Sequence, residues 1–132
     1  MFPSEHDVEA FRTEFGAESI IHRLAIPRQS FCGTQAAVVM TPASTKDETL
    51  ARAWELVRAI AHWILARAPE LPANERYEVI VGWSQAVRRK QGQIFKWGGE
   101  LATIRGMADS SDWRQYEQAL RHNWGKDVFE KR

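Results

Sequence analysis

The spacing of apolar residues in the middle of the chain predicts one long helix over residues 45–68. Two neighbouring rows of apolar side chains repeat there at helical spacing: Leu50, Trp54, Val57, Ala61 and Ile64 in one, and Ala53, Leu56, Ile60 and Trp63 in the other. Thr45 and Glu48 have the spacing of a capping box at its start, and Pro69 ends the pattern. Because apolar residues cover most of its surface, we expect this helix at the centre of the core.

The segments before this helix indicate a short helix and a small β-ribbon. Ser4 has the position of an N-cap and Gly16 that of a C-terminal glycine, which predicts a helix over residues 5–15. The stretches 19–26 and 35–40 are rich in apolar and β-branched residues, and each ends at or before a proline. We interpret them as two strands of one ribbon.

Residues 73–90 can be interpreted as a helix or as a strand. The run YEVIVGW has the composition of a strand. Pro72 before the segment, cations in its last turn and Gly92 after it favour a helix, which we adopt here. A further helix over residues 112–124 is predicted by the shared side of its aromatic residues and by Gly125.

These elements predict a mainly α fold, a compact single domain of about five helices with a small β-ribbon near residues 19–40. The alternative is an α+β fold in which residues 77–104 form a β-meander with a hairpin turn at Gln91 and Gly92. In either case we expect one globular domain over residues 1–125 and a loose C-terminal tail over residues 126–132.

The composition is that of a folded protein without structural cofactors. The chain has 132 residues, of which 44% are hydrophobic and 27% charged. A single cysteine excludes an intramolecular disulfide, and four scattered histidines with one thiol predict no metal site. The acidic N-terminus has no apolar core of a signal peptide, and no apolar run reaches membrane-spanning length. We therefore expect a cytoplasmic protein with no membrane partner and no cofactor.

Charge is concentrated in one part of the sequence. The net charge is only +1, but residues 76–106 carry six cations and two acids. The stretch 88–106, RRKQGQIFKWGGELATIRG, combines these cations with glycines and aromatic residues, as surfaces that bind phosphate do. The candidate binding residues are five cations for phosphates, one tryptophan for stacking and a second as a partner anchor: Arg88, Arg89, Lys90, Lys96, Arg105, Trp97 and Trp124.

Three functional hypotheses follow from these residues. The leading one is a non-catalytic small binding protein that contacts a nucleic acid or a nucleoprotein complex through the basic segment 88–105. The alternative is a protein–protein interaction module, an adaptor or inhibitor, in which the same cations meet an acidic protein surface and Trp97 or Trp124 is the anchor. The minor alternative is a small hydrolase or transferase that uses Cys32 or His62.

Overall fold

The computed structural model describes residues 2–26, 31–86 and 89–121, and for residues 25, 26, 31 and 32 it describes the backbone only. Within these ranges the chain forms three α-helices, two short 3₁₀ helices and four strands. In chain order they are α1 (Glu5–Phe15), β1 (Ile20–Ile26), β2 (Phe31–Met40), α2 (Lys46–Leu65), a 3₁₀ helix (Ala68–Glu70), β3 (Arg76–Gln85), β4 (Lys90–Gly99), α3 (Leu101–Asp109) and a second 3₁₀ helix (Trp113–Ala119).

The four strands form one mixed sheet in the order β1-β2-β3-β4. β1 and β2 are antiparallel, β2 and β3 are parallel, and β3 and β4 form an antiparallel hairpin. The parallel pair needs a crossover connection, and α2 provides it. The predicted ribbon of residues 19–40 is therefore one half of a larger sheet.

The mainly α fold with five helices is wrong, and the fold is α+β. Residues 76–85, interpreted as helical from the sequence, form the inner strand β3. Its side chains are buried almost without interruption because β2 and β4 flank it on both sides, so the strand lacks the clear alternation that would identify it. The structure also differs from the β-meander alternative, since α3 begins at Leu101.

The residues taken as helix signals have other roles in this sheet. The carbonyl of Pro72 accepts a hydrogen bond of 2.8 Å from the Tyr77 hydroxyl, and Gly92 lies inside β4 opposite Trp83. Gly98 also lies in a strand, where a Cβ atom would collide with the carbonyl oxygen of Tyr77. Residues 113–119 form a 3₁₀ helix in place of the first part of the predicted last helix, and residues 122–132, with Trp124 and the predicted tail, lie outside the described residues.

The helices pack on one face of the sheet. The two apolar rows of α2 are buried there, and Thr45 caps the helix by accepting from the Glu48 backbone N–H. On β1, β2 and β3 the residues of the same core cluster share one parity: Ile21 of β1, Ala36 and Val38 of β2, and Tyr77, Val79, Val81 and Trp83 of β3. β4 contributes the consecutive residues Ile94 and Phe95, where its register with β3 shifts. The long central helix is thus present as predicted, although it ends at Leu65 and not at residue 68.

The residues of the other parity form a second face, which we call the open face. No helix of the described residues contributes to a core on this side. By the strand register it comprises Ile20, His22 and Leu24 of β1, Gly33, Gln35, Ala37 and Val39 of β2, Arg76, Glu78, Ile80, Gly82 and Ser84 of β3, and Gln91, Gln93, Lys96 and Gly98 of β4.

A bidentate ion pair ties β1 to the loop before β3. The two terminal nitrogens of Arg23 donate to the two carboxylate oxygens of Glu75, each at 2.7 Å. The hydrogen bonds from Arg23 hold the pKa of Glu75 below its ordinary value. This geometry is of the stronger kind for an ion pair, because two hydrogen bonds join the same two groups and both side chains are partly buried.

We predict that Glu75→Gln lowers the free energy of unfolding by about 1 kcal/mol at neutral pH. Because folding lowers this pKa, the contribution is complete above the unfolded value, near 4.5, and is lost as the pH falls through the folded value. Urea denaturation of both proteins from pH 7 to about pH 3 measures the difference. It should disappear at the acid end, and a constant difference would contradict this assignment.

Candidate functional site

The basic segment of the sequence coincides largely with the β3–β4 hairpin. Its described residues carry the cations Arg76, Arg89, Lys90 and Lys96 and the single acid Glu78. None of the residues on β1 and β2 is acidic, so Glu78 is the one acid on the four strands. The remaining acids in the described ranges lie on helices and loops, where they are mixed with cations such as Arg12, Arg52 and Arg58.

The turn of this hairpin presents Arg89 in an unusual backbone conformation. The last strand pair joins Gln85 and Lys90, and the backbone N–H of Arg89 donates to the carbonyl of Ala86 at 3.3 Å. Arg89 has a φ of 51° and an exposed side chain. The left-handed region costs a residue with a Cβ atom about 1 kcal/mol. The predicted site residue Arg88 lies outside the described residues.

Lys96 lies on the open face, at the end of a row of polar contacts that crosses the sheet. Its ammonium nitrogen is 3.9 Å from the Glu78 carboxylate, which also accepts a hydrogen bond of 2.5 Å from the Gln35 amide. Gln35 Oε1 lies 3.0 Å from His22 Nε2. An amide oxygen only accepts, so His22 Nε2 carries the proton and donates it.

The other predicted binding residues do not share a surface with Lys96. Trp97 is paired with Val79, which is fully buried in the core, so its half-buried ring packs against the helical side. Arg105 is exposed on α3, which packs with α2 and β4 on that same side. The segment 88–105 is therefore divided between a turn and two opposite faces.

The two candidate catalytic residues lie on different elements. His62 is exposed near the end of α2. Cys32 is paired with Ala25 near the start of β2, and its side chain lies outside what the structure describes. Among the residues described, no three His, Cys, Asp or Glu side chains are grouped so that they could hold a metal ion.

Sequence reasoning missed a polar cleft of about 330 Å³ beside the start of α1. Arg67 reaches into it, stacks over Trp63 at 3.4 Å from the ring centroid, and donates to Asp7 at 3.3 Å. Burial raises the pKa of Asp7, but hydrogen bonds from Ser4 and Arg67 outweigh this and hold the pKa below its ordinary value. The cleft is thus lined by groups that satisfy one another and join α1 to the end of α2.

The row of His22, Gln35 and Glu78 was also missed, because these residues are far apart in sequence. Only the strand register brings them together, and no local sequence motif predicts that register. The available signal is their shared parity: each lies on the side of its strand that faces away from the core.

Comparisons with protein-family models, with curated proteins and with solved structures found no match. Within the described ranges, no helix combines the length and the apolar character that crossing a membrane requires.

We predict that Gln35→Ala lowers the free energy of unfolding by about 1 kcal/mol, because it removes the amide that joins His22 to Glu78. Gln91→Ala is the matched control: Gln91 is exposed on the same face, and its loss should change stability by less than about 0.5 kcal/mol. Chemical denaturation of the two variants measures this, and equal effects would show that the row of contacts contributes nothing to stability.

Proposed function

We propose that this chain is a non-catalytic binding protein that contacts a nucleic acid or a nucleoprotein complex through the turn end of the β3–β4 hairpin. The observation that carries the proposal is Arg89, an exposed cation held in a backbone conformation that glycine would adopt without cost. A fold selected for stability alone would favour glycine there. The strained arginine argues that its side chain has a use in this turn.

The surrounding charge supports an anionic partner. Arg89 is followed by Lys90 and preceded in sequence by Arg88, and the hairpin they belong to carries one acid. That acid, Glu78, is on the open face, where Gln35 and Lys96 already contact it. Clustered cations of this kind release counterions from a phosphate backbone, which gives affinity with little sequence preference.

The sheet restricts how the hairpin can meet a nucleic acid. A free two-stranded ribbon can enter the major groove, but β3 is paired with β2 along its other edge. Four strands at a spacing of about 4.8 Å are wider than that groove, which measures about 12 Å. Contacts from the turn to phosphates are therefore the mode that we propose, with Arg88, Arg89 and Lys90 as the contacting residues.

Two residues of the predicted segment have no place in this mode. Lys96 is paired with Glu78, and Trp97 packs against the core with part of its ring covered. A stacking role for Trp97 would require it to leave these contacts. The proposal consequently depends on positive charge and not on aromatic stacking.

We predict that Arg89→Gly separates stability from binding. Glycine relieves the backbone strain, so the melting temperature should stay constant or rise by a few degrees, corresponding to at most about 1 kcal/mol. Affinity for single-stranded and duplex oligonucleotides should fall. For one lost phosphate contact, the dependence of log K on log salt should become shallower by about 0.9 with a duplex and about 0.7 with a single strand. Fluorescence anisotropy at about 50 and 200 mM salt measures both effects.

Arg52→Ala is the charge-matched control, because Arg52 is an exposed cation on α2. It should leave the affinity and the salt dependence unchanged. Equal losses of affinity in the two variants would show that only the net charge matters. If the wild type does not bind oligonucleotides at low salt, a nucleic acid is not the partner. An acidic protein surface would then be the partner to test with the same two variants.

A further inference from the structure

The open face carries an aliphatic patch that does not belong to the core. Ile20 and Val39 are the exposed large hydrophobic residues of the described chain, with 52% and 39% of their surface accessible. Ile80 of β3 lies in the same row as Ile20, with Ala37 between them, and is buried. It is nevertheless not a member of the core cluster. With Ala37 these side chains form one apolar area on a sheet face that no helix of the described ranges covers, which is typical of an interaction surface.

The parallel register of β2 and β3 gives this face a regular alternation of size. In three of the four rows a small residue of one strand is paired with a large residue of the other: Gly33 with Arg76, Ala37 with Ile80, and Gly82 with Val39. In the remaining row Gln35 is paired with Glu78, an amide beside a carboxylate. The large residue is on β3 in the rows of Arg76 and Ile80 and on β2 in the row of Val39. Neither strand therefore forms a continuous ridge of large side chains.

We propose that the open face is the interface between two copies of this chain, related by a two-fold axis. The axis lies midway between the two facing sheets, runs parallel to the strands, and passes over the line between β2 and β3. Such an axis places β2 of each copy over β3 of the other and keeps every row in line. Val39 then lies over Gly82, Ile80 over Ala37 and Arg76 over Gly33 of the second copy. A two-fold interface requires a surface that is complementary to itself, and these rows meet that requirement.

The charges of the face also fit a second copy. Under this axis Glu78 meets the Gln35 amide of the other copy, and Lys96 meets Ile20, which its aliphatic stem can cover. No two like charges of the open face oppose each other in these rows. Glu78 would repel a strongly acidic partner and Lys96 would repel a strongly basic one. A second copy carries charges of both signs on the same face.

The size of the face predicts a weak dimer. Four strands of about eight residues cover about 500 Å² at the usual strand spacing and rise. Two copies would bury about 1,000 Å², which is at the lower limit for specific protein interfaces. Two sheets packed face to face are about 10 Å apart, which leaves room for the side chains of one layer from each copy.

The dimer is tested by sedimentation velocity of the full chain over a concentration range from about 5 to 500 μM, a range chosen because interfaces of this size are often weak. We expect a monomer–dimer equilibrium that Val39→Asp and Ile20→Lys each weaken at least tenfold. Ile20→Lys opposes Lys96 of the second copy and changes a side chain that is already exposed, so the monomer should fold. Circular dichroism and melting curves check the fold of both variants.

Gln91→Asp is the control on the same face. Gln91 is paired with Ser84, beyond the rows that β1 reaches, and so lies outside the overlap of the two copies. It should leave the equilibrium unchanged. A chain that is monomeric throughout the range, or a dimer that ignores Val39→Asp and Ile20→Lys, would overturn the proposal.

A compensating pair of substitutions tests the proposed axis. Ala37→Ile opposes two large residues and Ile80→Ala opposes two small ones, so each should weaken the dimer. The double variant restores a large residue over a small one and should recover most of the wild-type association. If it associates no better than either single variant, the pairing of rows is wrong and the proposal fails.

Discussion

The parallel pairing of β2 and β3 is the constraint on which the rest of the fold depends. Two parallel neighbours cannot be joined by a tight turn, so the chain must cross from one end of the sheet to the other, and α2 makes that crossing. The crossing covers one face with the longest apolar helix. Each inner strand then gains an antiparallel neighbour, β1 for β2 and β4 for β3, and the opposite face is left to the residues of the other parity.

The helices could be predicted to the extent that their signals are local. Ser4 and Asp7 form a capping box at the start of α1, and Thr45 caps α2, so both helices begin where the sequence indicates. β3 could not be recognised in the same way, because a strand flanked on both sides buries residues of both parities, Ile80 as well as Val79 and Val81. Ile94, Trp97, Leu101 and Ile104 also have helical spacing, but this spacing marks no single helix, because it crosses the boundary between β4 and α3.

The candidate site shows the same division between local and long-range information. The positive charge of the segment 76–106 is a property of sequence, and most of it falls on one hairpin in the fold, although its side chains are divided between the turn and two opposite faces. The face to which each side chain points could not be predicted, because the hairpin was interpreted as helical. Lys96 and Trp97 are consecutive, so a strand sends them to opposite faces, and the register that unites His22, Gln35 and Glu78 cannot be obtained from any local pattern.

The end of the second 3₁₀ helix has a consequence for how copies of this chain can assemble. Leu120 forms an antiparallel bridge with Phe95, and the Arg121 backbone N–H donates to the Ile94 carbonyl at 2.7 Å, so part of the outer edge of β4 is already occupied. An occupied edge cannot accept a strand from a neighbour at those positions. Edge-to-edge growth into filaments, the usual hazard of an exposed edge strand, is therefore hindered at this side of the sheet.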